Sequence, residues 1–218
     1  MQSDEAYAQC ISELQRLGVL KGDDMSHRFF RVVTELTVDK YQSDSNLQAV
    51  DAFAKLVVLL VKYADGAQSM TRVNLVSKVL SVVTRSLVRE YESNKFKFDQ
   101  RPFYRLFVQW LEGFNAAEFE AINFQVLTVF SNTFHSLQPG RLPGFGFAWL
   151  ELISHRMFMP KLLLAKNQKG WQLIQRLLID LLKFLEPYMA QGSSLSQISS
   201  LSQIWPQLQR GVNSDFYL

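Results

Sequence analysis

Three histidines, His27, His135 and His155, are the first candidates for chemistry in this chain. None has a partner at metal-ligand spacing, and a single cysteine, Cys10, leaves no cysteine pair. Glu151 and His155 are four residues apart, which would place a carboxylate and an imidazole on one face of a helix, as in a general acid–base pair. No nucleophile or third member accompanies them, so a structural hydrogen bond or ion pair is the favoured interpretation. We predict no catalytic residue, no cofactor and no metal.

The glycines of Gly144-Phe145-Gly146 precede a predicted helix, where a glycine-rich loop could hold a phosphate. A phosphate-binding loop would also need a third glycine, a lysine-serine continuation and a preceding strand, and none of these is present. The motif is therefore interpreted as a turn that leads into the helix.

A small basic and aromatic patch could be formed by Lys161, Lys166, Lys169 and Trp171. Such a patch could bind RNA, but the formal net charge of the chain is only +3, and basic and acidic residues are interspersed. A nucleic-acid-binding domain usually has a strongly basic face. A solvated turn between two helices is favoured, and no direct contact with nucleic acid is predicted.

Helices must position these residues, because apolar side chains recur at steps of three and four along most of the chain. The chain has 218 residues, of which 48% are hydrophobic, so it is not largely disordered. Aromatic residues at helical spacing are predicted to be core anchors and not a cofactor site; they are Phe103, Tyr104, Phe107, Trp110 and Phe114. No alternation typical of strands appears, and the fold class is predicted to be all-α.

The stretch from Leu142 to Tyr188 shows the architecture most clearly. It contains two apolar helical patterns separated by a polar break at residues 166–170, which predicts an antiparallel helix hairpin. Such a hairpin must bury its apolar faces on neighbours of the same kind. Since earlier segments also come as helix pairs, we predict a HEAT-like α-solenoid over residues 1–190, with a compact irregular bundle as the alternative.

The tail, residues 191–218, differs from the body of the chain. Gly192-Ser193-Ser194 is typical of a flexible linker, and the Leu-Ser-Gln-Ile sequence that follows is repeated once. The apolar residues of this tail are predicted to dock on a groove, for which the solenoid itself is one candidate; they include Leu201, Ile204, Trp205, Phe216 and Tyr217. An arbitrary or engineered terminus is the alternative.

Features of the chain also bear on its compartment. A single cysteine cannot form an internal disulfide, which favours a reducing environment. The N-terminal sequence does not resemble a signal peptide, and no apolar run approaches the ~18 residues of a membrane span. We expect a cytoplasmic protein that does not bind membranes.

Several segments resemble a known family. Pro143 to Leu164, Gln168 to Trp171 and Leu177 to Tyr188 resemble the large scaffold subunit of the CCR-NOT deadenylase complex, at the start of its C-terminal NOT domain. The same family is also similar to three earlier segments, Ile122 to Pro139, Val50 to Ala64 and Arg72 to Val83. The densest motif, WLELISHR, begins at Trp149.

The resemblance implies a HEAT-like, non-catalytic scaffold that docks NOT-box subunits and receives short linear motifs of translational repressors. It implies a role in mRNA deadenylation, decay and translational repression, in the cytoplasm including P-bodies, and also in the nucleus. The partner-binding candidates are Glu151, His155 and Arg156, which match the family motif, together with Trp171. A generic α-solenoid adaptor of another pathway is the alternative function.

Overall fold

Helices form the framework of the chain. The computed structural model describes residues 2–19, 22–64 and 69–190, and within these residues it contains no β-strand. Short 3-10 segments occupy Lys95–Lys97, Ala117–Ile122, Pro143–Phe145 and Lys166–Gln168. The α-helices are α1 (Gln2–Arg16), α2 (Asp23–Asp44), α3 (Gln48–Lys62), α4 (Ser69–Asn94), α5 (Arg101–Gly113), α6 (Asn123–Ser136), α7 (Gly146–Ser154), α8 (Met159–Leu163) and α9 (Trp171–Ala190). The all-α prediction is confirmed.

The helices are arranged in two layers. In one layer α1 packs on α3, α3 on α5 and α5 on α7, while in the other α2 packs on α4, α4 on α6 and α6 on α9. Contacts of α3 with both α2 and α4 join the layers, and the short helix α8 packs on α9. Helices α3 to α7 each cover the helix two places before them, and α9 covers α6, because the short helix α8 comes between α7 and α9 in the chain. This is the repeating contact of a helical solenoid.

Aromatic side chains fill the core between the layers. The ring of Phe107 makes edge contacts with Trp110, Phe134 and Phe145, at centroid distances of 6.1, 5.8 and 6.2 Å. All four side chains are completely buried. The indole N–H of Trp110 donates to the carbonyl of Ala54 at 3.2 Å, so the buried nitrogen has a partner. The predicted core role of the aromatic residues is confirmed for Phe103, Phe107, Trp110 and Phe114, which are buried, whereas Tyr104 is only half-buried.

The polar residues after Asp39, which have no apolar pattern, continue helix α2 to Asp44. Lys40 pairs with Asp44 at 2.9 Å, four residues on, which stabilises the final turn. Tyr41 is buried, and its hydroxyl donates to Asp99 at 3.3 Å. Burial, followed by the charge of Asp99, raises the pKa of Tyr41 to about 12. The buried ring of Tyr41 therefore attaches the polar end of α2 to the rest of the fold.

One predicted helix is divided in two. The apolar pattern between residues 146 and 164 appears continuous, but α7 ends at Ser154 and α8 begins at Met159. Pro160 lies in the first turn of α8. A proline lacks the backbone N–H that would bond four residues back, and its ring opposes helical continuation, so it starts a new helix instead. The predicted hairpin with α9 is therefore made by α8, while α7 packs on α5.

Candidate docking surface

The three motif residues Glu151, His155 and Arg156 each contact a different partner and do not form a single site. Glu151 accepts a hydrogen bond from Tyr104, and its charge adds to burial in raising the pKa of that tyrosine. Arg156 is largely exposed and contacts the carboxylate of Glu112 at 3.3 Å. Helix α7 ends at Ser154, one residue before His155. Glu151 and His155 therefore do not share a helix face, and that prediction is wrong.

His155 serves the turn between α7 and α8. Its φ and ψ of −57° and 139° take the chain out of the helix, and its Nδ1 accepts the backbone N–H of Met157 at 3.2 Å. Burial lowers the pKa of His155; the nearby charge of Glu112 opposes this shift and that of Arg156 adds to it. His155 therefore has a structural role: its ring nitrogen accepts a hydrogen bond from the backbone of its own turn.

The glycine motif before α7 is a close-packed turn. Residues 143–145 form a 3-10 segment, and Phe145 is completely buried. A Cβ on Gly144 would lie 2.7 Å from the ring of Tyr91, so glycine is needed here for contact with α4. The predicted turn is confirmed, and its glycine has a packing reason.

The basic residues near α9 are all in contact with solvent. Lys161 lies in α8, Lys166 in the following 3-10 segment and Lys169 just before α9. Trp171, the first residue of α9, is 56% exposed. The arrangement agrees with a solvated turn between helices, although the large exposed indole is an apolar surface within it.

Helix α9 has apolar residues on two sides. Ile174 and Leu177 are buried where α9 meets the rest of the fold. Trp171, Leu178 and Leu182 are 56, 42 and 58% exposed, and their spacing of seven and four residues aligns them along the helix. We refer to these three residues as the α9 stripe. The sequence predicted a single inward-facing set, but the structure buries only part of it.

Helix α2 carries a second exposed line of the same spacing, formed by Met25, Val32 and Leu36. Thr34 and Thr37 point inward instead, and their hydroxyls donate to backbone carbonyls four residues back, at 2.6 and 2.7 Å. These hydrogen bonds offset the cost of burying the two hydroxyls. The buried face of α2 therefore includes threonines, and the positions of its apolar residues alone do not identify that face.

An open groove of about 650 Å³ runs between α1 and α3. Its wall includes the hydroxyl-bearing rings of Tyr7 and Tyr63 and the apolar side chains of Ile11 and Leu59. Tyr7 donates to the carbonyl of Ala52 at 3.4 Å, which fixes one side of the groove. It is a third partly apolar surface, at the opposite end of the chain from α9.

The residues predicted to dock from the tail, Leu201, Ile204, Trp205, Phe216 and Tyr217, lie outside the described residues. Within the described ranges, no group of three or more His, Cys, Asp or Glu side chains is arranged to hold a metal ion. In the same ranges, no helix is both long and apolar enough to cross a membrane.

A polar contact between α6 and α9 could not be predicted from the spacing of residues in the sequence. The Nδ1 atom of His135 in α6 lies 2.6 Å from the Oδ2 atom of Asp180 in α9. Asp180 is only 4% exposed, so its carboxylate depends on this partner. The two residues are 45 positions apart and no local pattern joins them; the only signal is an acidic residue at an inward-facing position of α9.

Comparison with known proteins agrees with this architecture. Residues 108–216, half of the chain, match the family model described as "CCR4-Not complex component, Not1". A subunit of Caenorhabditis elegans, "CCR4-NOT transcription complex subunit let-711", is 31% identical over 213 residues, covering 85% of this chain and 8% of that protein. "General negative regulator of transcription subunit 1" of Saccharomyces cerevisiae is 29% identical over 226 residues, covering 94% of this chain and 11% of its own length.

Solved structures share the same fold. A structure described as "Not1 C-terminal domain in complex with Not4" superposes with a TM-score of 0.72 at 30% identity, over 81% of this chain and 39% of that one. The NOT1 superfamily homology domain from Chaetomium thermophilum has a TM-score of 0.74 at 26% identity, over 85% of this chain and 38% of that one. The chain thus spans a small part of its curated relatives and less than half of the solved domains. With the helix order, the family match and these superpositions in agreement, the chain belongs to the Not1 family of CCR4-Not complex components.

Proposed function

We propose that this chain is a non-catalytic scaffold module that docks another subunit of the CCR4-NOT complex. The observation that carries the proposal is its likeness, at a TM-score of 0.72 and 30% identity, to a Not1 C-terminal domain that was solved in complex with Not4. The exposed apolar side chains of α2 and α9 suit such a role, because exposed apolar patches on a folded domain are typical of protein interaction sites.

The partners proposed are NOT-box subunits of the complex and short linear motifs of translational repressors. Through them the module would support mRNA deadenylation, mRNA decay and translational repression, in the cytoplasm including P-bodies, and in the nucleus. Glu151, His155 and Arg156, together with Trp171, are proposed to lie near the bound partner. Arg156 is the most accessible of these, since 76% of its side chain is exposed.

Affinity capture tests this proposal. The full chain would be used as bait in an extract of its source cells, beside an unrelated helical-repeat bait of equal size, and the captured proteins would be quantified. Enrichment of CCR4-NOT subunits on the first bait alone is expected. Equal recovery on both baits, or enrichment of another pathway's proteins, would support the generic adaptor instead.

A further inference from the structure

The groove between α1 and α3 is fixed by a hydrogen bond at each of its ends. At one end Tyr7 donates to the carbonyl of Ala52 at 3.4 Å, and at the other the side-chain amide of Gln15 donates to the carbonyl of Tyr63 at 3.2 Å. The two helices therefore run parallel, and the groove follows both of them. A groove that is already formed does not have to be ordered by its ligand, which lowers the cost of binding.

The size and lining of this groove suit an extended peptide. Its volume is about 650 Å³, whereas two turns of helix, roughly 10 Å across and 11 Å long, occupy about 850 Å³. Ile11 and Leu59 provide apolar surface, and Ser12 and Gln15 add a hydroxyl and an amide to the same wall. An extended segment has backbone N–H and C=O groups that are not used internally, so it can pair with these polar groups.

A lysine lies against the tyrosine ring at each end of the groove. The Nζ atom of Lys55 is 4.9 Å from the ring centroid of Tyr7, and that of Lys62 is 5.8 Å from the ring centroid of Tyr63. Such cation–π contacts hold an ammonium group in place. The two lysines are seven residues apart on α3, which is about 10.5 Å along the helix axis. Both ends of the groove are therefore cationic.

The charged side chains next to the groove on these helices include two carboxylates that arginines bind. Glu13 contacts Arg16 at 2.7 Å, and Asp51 contacts Arg105 at 2.7 Å. The described residues that line the groove itself are uncharged. Electrostatic complementarity therefore favours a ligand with negative charge at the two ends of an apolar centre.

We propose that this groove binds an extended acidic segment of a partner protein, with two carboxylates three residues apart and an apolar side chain between them. A polyproline-type segment returns to the same side every three residues, over about 9 Å, which is close to the separation of Lys55 and Lys62. The carboxylates contact these lysines, and the apolar side chain covers Ile11 and Leu59. The inference rests on the proposed docking function and adds the chemistry of one ligand and its place on the fold.

Fluorescence anisotropy with the full chain tests this assignment. The probe is a labelled synthetic peptide that contains Glu-Pro-Leu-Glu, and its control has the same composition in the order Leu-Pro-Glu-Glu. Lys55→Gln and Lys62→Gln are each expected to weaken binding of the probe about threefold, and the double variant about tenfold, as for exposed ion pairs. Lys183→Gln on α9 is the matched control and should leave the Kd unchanged.

A second pair of variants tests the groove without removing a lysine. Ser12→Glu places a carboxylate in the groove and should weaken binding of the probe at least about tenfold, because like charges would face each other. Gln9→Glu adds the same charge to α1 outside the groove lining and should have little effect. Both positions are exposed, so neither substitution disturbs the core, and circular dichroism of each variant checks that the helical stack is retained.

Three results would overturn the proposal. They are an undetectable affinity for the probe, an equal affinity for the reordered peptide, and an unchanged Kd in the double lysine variant. Equally tight binding of an RNA oligonucleotide, lost in the same lysine variants, would also overturn it, since a nucleic acid would then be the ligand. The measurement needs no CCR4-NOT subunit, so its failure is distinguishable from failure of the proposed docking function.

Discussion

The imidazole of His135 and the carboxylate of Asp180 join α6 to α9 across a distance of 2.6 Å. The side chain of Asp180 is 5% exposed and that of His135 is 35% exposed, so the pair lies at the edge of the core. The contact joins α9 to α6, its neighbour in the same layer, and so it also fixes the position of the α9 stripe.

Replacing His135 by Ala should destabilise the fold, because the buried carboxylate of Asp180 would lose its partner. We expect the free energy of unfolding to fall by about 1–3 kcal/mol, the cost of an unsatisfied buried polar group. Chemical denaturation measures this change. Arg16→Ala is the control, since Arg16 pairs with Glu13 on the surface and should change stability by less than about 1 kcal/mol. Equal small effects of the two substitutions would show that the buried pair is not needed.

Trp149 is predicted to anchor the core. It is completely buried, and its indole N–H donates to the carbonyl of Phe134 at 2.7 Å. Trp149→Ala should cost roughly 3–5 kcal/mol of stability. Trp149→Phe keeps an aromatic ring but removes the donor, and should cost less. A loss of partner binding with unchanged thermal stability would contradict the role of Trp149 as a core anchor.

Gly170 is required where α8 meets α9. A Cβ at this position would lie 1.9 Å from the carbonyl oxygen of Leu162, so the backbone would have to move. We expect Gly170→Ala to reduce stability by about 1–3 kcal/mol, the usual cost of overpacking. Gly140→Ala is the matched control, because the nearest atom to its Cβ is the side-chain oxygen of Gln138 at 3.6 Å. Similar melting temperatures for the two variants would argue against close packing at Gly170.

The lowered pKa of His155 predicts a pH effect. Burial keeps the folded imidazole neutral at a pH where the unfolded chain, with an ordinary histidine pKa near 6.5, already takes up a proton. His155 should therefore make the fold less stable as pH falls below its unfolded pKa. His155→Asn keeps an acceptor for the Met157 N–H and should flatten this dependence. Denaturation midpoints between pH 7.5 and 5.5 would measure it, and parallel curves for the two proteins would refute the assignment.

The helical stack could be predicted from the sequence because large apolar residues at helical spacing have one favourable place, the core. Phe107, Trp110 and Trp149 show this, since each is completely buried. The division between α7 and α8 was missed because the apolar pattern continues through Pro160, where the missing N–H outweighs the pattern.

The surface could be predicted less well, because exposure depends on which neighbours are present. Periodicity identifies Leu178 and Leu182 as apolar positions, but only the arrangement of α6 and α9 shows that they face away from the core. Contacts such as that of His135 with Asp180 depend on residues far apart in sequence, for which a single sequence gives no signal. The roles of Glu151, His155, Arg156 and Trp171 in partner binding stay predictions.

The central claim is that this chain of the Not1 family docks another subunit of the complex. Isothermal titration calorimetry with the purified full chain and the Not4 counterpart from the same organism tests it most directly. The account predicts saturable binding with a defined stoichiometry and a negative heat-capacity change, as burial of apolar surface requires. Absence of measurable heat and of co-elution, with Not4 and with each NOT-box subunit in turn, would contradict it.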